Sequence, residues 1–159
     1  MSRILIVGYG NPDRSDDGLA WAAAQELSET VASPDVEVIT RHQLTPELAD
    51  ELSGNEVVIF IDAADTGHPG ELTCGPVVAK AESIYSHRLS PAGLLALAEE
   101  LDGIAPRAFT ISLCGERFDQ GQDLSEKVEI VLPSVIALVE QLVSQFLRES
   151  EPPNFSRPE

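Results

Sequence analysis

The chain has 159 residues, which is enough for one domain with a hydrophobic core and too few for two domains of ordinary size. Its formal net charge is −17, from 27 acidic and 10 basic residues, and this charge argues against nucleic acid or an anionic membrane surface as a partner. A hydrophobic fraction of 43% lies within the range of globular proteins, so the acidity does not indicate a disordered chain.

The two cysteines and the lengths of the apolar runs indicate in which cellular compartment the protein is found. Cys74 and Cys114 have neither a disulfide-framework pattern nor metal-knuckle spacing, which predicts small buried thiols in a reducing environment. The apolar run near the N-terminus ends at Gly8 and is too short for a signal peptide, and no run reaches the 18 apolar residues of a membrane span. We therefore expect a soluble cytoplasmic protein that is monomeric and contacts no membrane.

Apolar runs and helical periodicity alternate along the chain. The sequence predicts strands at residues 3–7, 36–40, 57–61, 70–79 and 108–114, and helices at 18–30, 45–52, 91–101 and 125–148. Gly75 and Pro76 mark residues 70–79 as an edge strand. Ser15 or Asp16 is the expected N-cap of the first helix and Ser90 that of the third, and Pro133 is expected to kink or divide the last helix.

This alternation predicts an α/β fold, a single three-layer αβα sandwich with a twisted, mostly parallel sheet. The domain is expected to cover residues 1–148, and the proline-containing residues 149–159 to form a disordered tail. In such folds, ligands bind at the carboxyl ends of the strands, beside the point where the strand order reverses. Candidate functional residues are therefore sought in the loops that follow the first and third strands.

The loop after the first strand is acidic. A dinucleotide fingerprint would require a third glycine at Asp13, so nucleotide binding is disfavoured. Asp16 and Asp17 fit either a helix N-terminus or a functional pair. Asp62 follows five apolar residues and, if it is buried, needs a cation, hydrogen-bond donors or water.

The simplest strand order brings Asp17 and Asp62 to the same rim of the sheet. Of the three histidines, His42 and His68 fit surface or turn positions, whereas His87 precedes a helix on the same side. Two carboxylates and one imidazole are a suitable ligand set for a divalent cation. The residues therefore predict a cation site at this rim, with a loop-capping role for Asp62 as the alternative.

In these motifs the sequence resembles the nickel-iron hydrogenase maturation endopeptidases. The resemblance extends over about residues 3–148 and rests on the combination of its parts, which are residues 4–11 (ILIVGYGN), 16–18 (DDG), 62–67 (DAADTG), 69–70 (PG), 86–87 (SH), Gly115 and 124–125 (LS).

The resemblance implies a protease that removes the C-terminal extension from the precursor of a hydrogenase large subunit after nickel insertion. It implies that Asp17, Asp62 and His87 bind the metal, which is nickel carried by the substrate, although other divalent cations can occupy such sites. Gly10, Asn11 and Gly115 are the expected substrate-binding residues. Two departures affect this comparison: Asp17 stands where relatives have glutamate, and the segment after Gly115 lacks a Gln-Pro.

Two mechanisms remain open at this stage. The metal polarises the scissile carbonyl or activates a water molecule, or it only docks the substrate while Asp16 or Asp62 acts as the general base. The predicted catalytic residues are Asp16, Asp17 and Asp62.

Two rival functions use the same residues. A phospho-receiver domain also has an acidic pair and an aspartate after its third strand, but it carries a lysine after the fifth strand, where this chain has Gly115-Glu116. A non-catalytic metal-sensing adaptor of hydrogenase assembly would keep the metal ligands, and Asp17 in place of glutamate favours it.

Overall fold

A computed structural model describes residues 3–83 and 89–149. Its five strands are β1 (Ile4–Tyr9), β2 (Val36–Arg41), β3 (Val57–Ala64), β4 (Leu72–Pro76) and β5 (Arg107–Cys114). A 3-10 turn (Ser15–Gly18) precedes the first of four helices, which are α1 (Leu19–Thr30), α2 (Leu48–Leu52), α3 (Pro91–Asp102) and α4 (Glu126–Glu149). The predicted tail falls almost entirely outside the described residues.

The strands form one sheet in the order β2-β1-β3-β5-β4. Neighbouring strands are parallel except for β4, which pairs antiparallel with β5 at the edge. The predicted α/β fold and the edge position of the Gly75–Pro76 segment are confirmed. The order reverses at β1, so the carboxyl ends of β1 and β3 lie side by side.

Side chains of the central strands alternate between two cores, one on each face of the sheet. On one face, Ile4, Ile6 and Ile59 pack with residues of α1 and α4. On the other face, Val7 and Phe60 pack with residues of α2 and α3. The two cores account for the continuous apolar runs in the sequence, because both sides of each strand are covered.

Helix α4 is the one described helix that is long and apolar enough, by length and composition, to cross a membrane. Its apolar residues Val128, Val135 and Val139 are completely buried and belong to the core beside α1 and the sheet. This packing is that of the core helix of a globular domain. Pro133 does not divide the helix, contrary to one of the two expected outcomes.

Several local expectations are corrected. Neither Ser15 nor Asp16 caps α1, whose N-cap is Gly18 with no side-chain hydrogen bond. Ser90 does cap α3, where its hydroxyl accepts the Gly93 N–H. Strand β3 does not stop before Asp62 but continues to Ala64, because β5 still pairs with it there. Cys114 is buried as expected, whereas Cys74 is exposed on the edge strand.

Candidate active-site cavity

A cavity of about 690 Å³ lies at the carboxyl ends of β1 and β3. Its position matches the rim at which the strand order reverses. Both aspartates predicted to meet there, Asp17 and Asp62, line it. The other lining residues come from the ends of β1 and β3, from the loops after β1, β2, β3 and β5, and from the segment just before α3. They are Tyr9, Gly10, Asn11, Arg14, His42, Gln43, Leu44, Ala63, Asp65, Leu89 and Phe118.

Asp17 is positioned by a tight turn at Gly10. Gly10 has φ of 144°, and a Cβ atom there would lie 2.2 Å from the carbonyl oxygen of Asp17, so only glycine allows this approach. The Asn11 N–H donates a hydrogen bond of 2.8 Å to Asp17 Oδ2. The loop thus folds back on itself and fixes the Asp17 carboxylate at the cavity wall. Gly10 and Asn11, the expected substrate-binding residues, line the same wall.

Asp62 extends from β3 and is largely shielded from solvent. The Tyr9 hydroxyl donates a hydrogen bond of 2.9 Å to its Oδ2 atom. Burial raises the pKa of Asp62, and the negative charge of Asp17 raises it further, whereas hydrogen bonds from Ser112 and Tyr9 act in the opposite direction. The net effect is a carboxyl group whose pKa lies above its ordinary value.

Tyr9 is a donor to Asp62 throughout the physiological pH range. Burial raises the pKa of its phenol far above the ordinary value, and the charges of Asp62 and Asp17 add to that effect. Its ring packs edge-to-face on Phe60, with centroids 6.5 Å apart. The phenol therefore stays protonated and held in place beside the carboxylate.

Asp16 lies on the other side of the same turn and has no exposed surface. Its Oδ2 atom accepts the N–H groups of Glu116 and Arg117 at 2.7 and 2.9 Å, and the Ser125 hydroxyl at 2.7 Å. Its Oδ1 atom accepts the Ser125 N–H at 2.7 Å. Burial alone would raise the pKa of Asp16, but these hydrogen bonds outweigh it and lower the pKa below the ordinary value.

Gly115 is buried and does not line the cavity. A Cβ atom at this position would lie 2.8 Å from Asp16 Cβ and 2.7 Å from the Phe118 ring. The glycine allows the loop after β5 to pass close to Asp16. The substrate-binding role of Gly115 stays a prediction, and Phe118, three residues later, is the residue of this loop that reaches the cavity.

The third expected metal ligand, His87, lies outside the described residues. Within residues 3–83 and 89–149, no group of three His, Cys, Asp or Glu side chains is placed to hold a metal ion. None of the ion pairs among these residues includes Asp17 or Asp62. The two carboxylates thus share a cavity without a direct basic partner in the described part of the chain.

Sequence reasoning missed several residues that line the cavity. Tyr9 could have been found from the register of the β1–β3 pairing. Gly8 pairs with Ile61, so the next residues along the two strands are Tyr9 and Asp62. His42 is exposed, as expected, but it also lines the cavity, and its ring contacts Trp21, whose indole N–H donates to the Gly10 carbonyl at 2.8 Å. No sequence signal distinguished Arg14 or Phe118.

The fold matches those of solved hydrogenase maturation proteases. The hydrogenase maturating endopeptidase HybD from E. coli superposes with a TM-score of 0.74 and 18% identity, over 90% of this chain and 93% of that one. The [NiFe] hydrogenase maturation protease HybD from Thermococcus kodakarensis has a TM-score of 0.67 and 25% identity, over 88% of this chain and 98% of that one.

A hydrogenase 2 maturation peptidase from a Thaumarchaeota archaeon has a TM-score of 0.64 and 27% identity, over 89% of this chain and 98% of that one. The family resemblance is confirmed: this chain has the hydrogenase maturation protease fold. No sequence profile of a protein family and no curated protein sequence matches the chain. The likeness to the maturation proteases therefore lies in the three-dimensional structure and in a short set of motifs.

Proposed function

We propose that this protein is an endopeptidase that removes the C-terminal extension from the nickel-loaded precursor of a nickel-iron hydrogenase large subunit. The proposal rests above all on the position of Asp17 and Asp62, which line one cavity at the strand ends of a maturation protease fold. We further propose that the site works in the cytoplasm, where such a precursor would be assembled.

In this proposal, nickel is part of the substrate, and the cavity recognises it. Asp17 and Asp62 would contact the ion, with His87 as a third ligand. Within the described residues the two carboxylates have no direct basic partner, and this arrangement favours a divalent cation, because the ion would neutralise their mutual repulsion. A precursor without nickel would leave this repulsion in place and bind more weakly.

The hydrolytic step needs a group that accepts a proton from the attacking water. We assign this role to Asp62 and not to Asp16. The raised pKa of Asp62 is the better match to a general base, and the carboxyl group is open to the cavity. Both oxygens of Asp16 already accept hydrogen bonds and are inaccessible to water. In the alternative route, the nickel ion would polarise the scissile carbonyl, and Asp62 would act only as a ligand of the ion.

The cavity walls combine apolar and polar side chains that can contact an extended peptide. Leu44, Leu89 and Phe118 share the lining with polar groups around a volume of about 690 Å³. Arg14 adds a cationic side chain at the rim, where it can pair with a carbonyl or carboxylate of the bound segment.

The test uses purified protein with nickel-loaded and nickel-free precursor, and mass spectrometry of the precursor C-terminus. We expect shortening of the loaded precursor alone. Asp62→Asn should reduce the rate at least about a hundredfold, which corresponds to about 2.7 kcal/mol of transition-state stabilisation. Asp123→Asn, at an exposed aspartate outside the cavity, is the matched control and should process normally.

The outcomes separate the candidate functions. Processing by Asp62→Asn at the wild-type rate would contradict the assignment of the site. Binding of the loaded precursor without cleavage would favour the metal-sensing adaptor. A phospho-receiver role has less support, because β4 is an antiparallel edge strand and the doubly wound order of receivers is parallel throughout.

A further inference from the structure

Three polar side chains form a row across the middle of the sheet at the cavity. Asp62 on β3 pairs in register with Ser112 on β5. On the other side, Gly8 pairs with Ile61, so Tyr9 and Asp62 occupy the next position along β1 and β3. The row therefore runs Tyr9, Asp62, Ser112 over three adjacent parallel strands.

The two outer members of the row hold the middle one. Tyr9 donates to Asp62 Oδ2 at 2.9 Å, and the side chain of Ser112, at the paired position of β5, favours the ionised form of the Asp62 carboxyl. Both hydroxyl groups are on regular strands, so the backbone fixes where each of them lies. Cross-strand neighbours of this kind are close enough for direct side-chain contact.

Tyr9 is itself tightly constrained. Its ring meets the completely buried Phe60 at an interplanar angle of 86°, and the backbone of the next residue is tied to β2 by the Gly10 N–H bond to the Arg41 carbonyl at 3.0 Å. A phenol with its ring packed and its chain anchored supplies a fixed donor. The Asp62 carboxylate then cannot rotate without losing that hydrogen bond.

We propose that Tyr9 is a positioning residue that orients the Asp62 carboxylate toward a cation entering the cavity, with Ser112 supporting it from the opposite side. A carboxylate has about four acceptor sites on its two oxygens. The hydroxyl groups of Tyr9 and Ser112 occupy some of these acceptor sites. The remaining sites point in a fixed direction, in which a cation can bind. Hydrogen-bond partners of ligating groups typically contribute about 10- to 100-fold in metal affinity or activity. The inference rests on the proposed function, since it takes the cation to be the nickel of the precursor.

The experiment compares wild type, Tyr9→Phe, Ser112→Ala and Asp62→Asn. Isothermal titration with Ni²⁺ alone measures affinity, and processing of the loaded precursor gives kcat and KM. Tyr9→Phe keeps the ring against Phe60 and removes only the hydroxyl. We expect it to weaken nickel binding about 10- to 100-fold and to lower kcat/KM by a similar factor, with a melting temperature close to that of wild type.

Ser112→Ala is the second variant, because it removes the other hydroxyl without touching the aromatic contact. We expect a smaller loss in the same two measurements. Thr73→Val is the matched control: it removes an exposed hydroxyl that donates to the Ser112 carbonyl, at 3.4 Å, and leaves the Asp62 carboxyl untouched. Nickel affinity and processing should stay at the wild-type level in this control.

The outcomes distinguish the inference from the function on which it rests. If Asp62→Asn binds nickel and processes the precursor like wild type, the proposed function of the site is wrong. If Asp62→Asn is impaired while Tyr9→Phe keeps wild-type nickel affinity, kcat and KM, then only the positioning role of Tyr9 is overturned.

Discussion

The two sides of the 3-10 turn at residues 15–18 place adjacent aspartates in opposite environments. On one side, Asp16 is enclosed by the loop between β5 and α4 and accepts four hydrogen bonds. On the other side, Asp17 accepts one hydrogen bond from the described residues, donated by Asn11, and faces the cavity. The two carboxylates therefore differ in their remaining acceptor sites. The sites of Asp16 are filled by hydrogen-bond donors, whereas Asp17 keeps sites that can bind a ligand.

On the enclosed side, backbone hydrogen bonds also link two distant parts of the chain. The Ser15 N–H donates to the Gly121 carbonyl at 2.7 Å, and the Asp16 N–H donates to the Arg117 carbonyl at 3.0 Å. With the carboxylate bonds of Asp16, these contacts hold the loop after β5 against the loop after β1. We infer that the enclosed side gives the cavity its shape, whereas the open side supplies its chemistry.

The largest expected effect comes from exchanging each aspartate for asparagine. Asp16→Asn replaces one acceptor oxygen with an NH₂ group, which then faces donors that bind the carboxylate in the wild type. We therefore expect a loss of about 3 kcal/mol in the free energy of unfolding. Asp17→Asn should change that free energy by less than about 0.5 kcal/mol and should impair processing instead. Urea unfolding of both variants measures the contrast, and equal losses of stability would remove the distinction between the two sides.

A smaller effect is expected from filling the space beside Asp16. Gly115→Ala would press a methyl group against Asp16 and Phe118, and we expect a cost of about 1–3 kcal/mol because the neighbouring loop must shift. Gly75→Ala is the matched control, since nothing lies within 4 Å of its added Cβ atom. Urea unfolding should show a loss in the first variant alone. A stable Gly115→Ala protein would mean that the loop after β5 adjusts more easily than this packing implies.

The smallest expected effect is in the pH dependence of stability. The folded pKa of Asp16 lies below its ordinary value of 3.8, so its contribution is complete above that value and is lost as the pH falls through the folded pKa. Asp62 has the opposite sign, because its raised pKa means that ionisation in the folded state costs stability at neutral pH.

Unfolding free energies between about pH 6 and about pH 3 test this difference in sign. The curve for Asp16→Asn should fall less steeply than wild type on the acid side of the range. Asp62→Asn should be at least as stable as wild type at neutral pH. Parallel curves for Asp16→Asn and wild type would contradict the role given to the Asp16 hydrogen bonds.

The sequence was most informative where local patterns determine the structure. The apolar runs predicted the sheet, Pro76 predicted the edge strand, and Ser90 predicted the cap of α3. The neighbouring positions of β1 and β3 followed from the simplest strand order, which brought Asp17 and Asp62 to one cavity. In each case the cause lies within a few residues or in a general rule of α/β topology.

The errors concern contacts between residues far apart in the chain. Asp16 has the sequence context of a helix cap, but its donors are about a hundred residues away, on the loop before α4. Tyr9 resembles an ordinary strand residue until the register places it beside Asp62. Gly115 remains a predicted substrate-binding residue, but its close neighbours, Asp16 and Phe118, were not foreseen. Local sequence cannot specify such pairings, because they depend on how the loops meet after folding.

Trp21 is an intrinsic fluorescence probe of the cavity. It is the only tryptophan in the chain, its indole N–H is bonded to the Gly10 carbonyl, and its ring meets His42. Indole emission depends on hydrogen bonding and on neighbouring rings, so any movement of the loop that carries Gly10 should change the fluorescence of the whole protein. Entry of a peptide or an ion can therefore be followed without a label, in the native chain and in every variant described above.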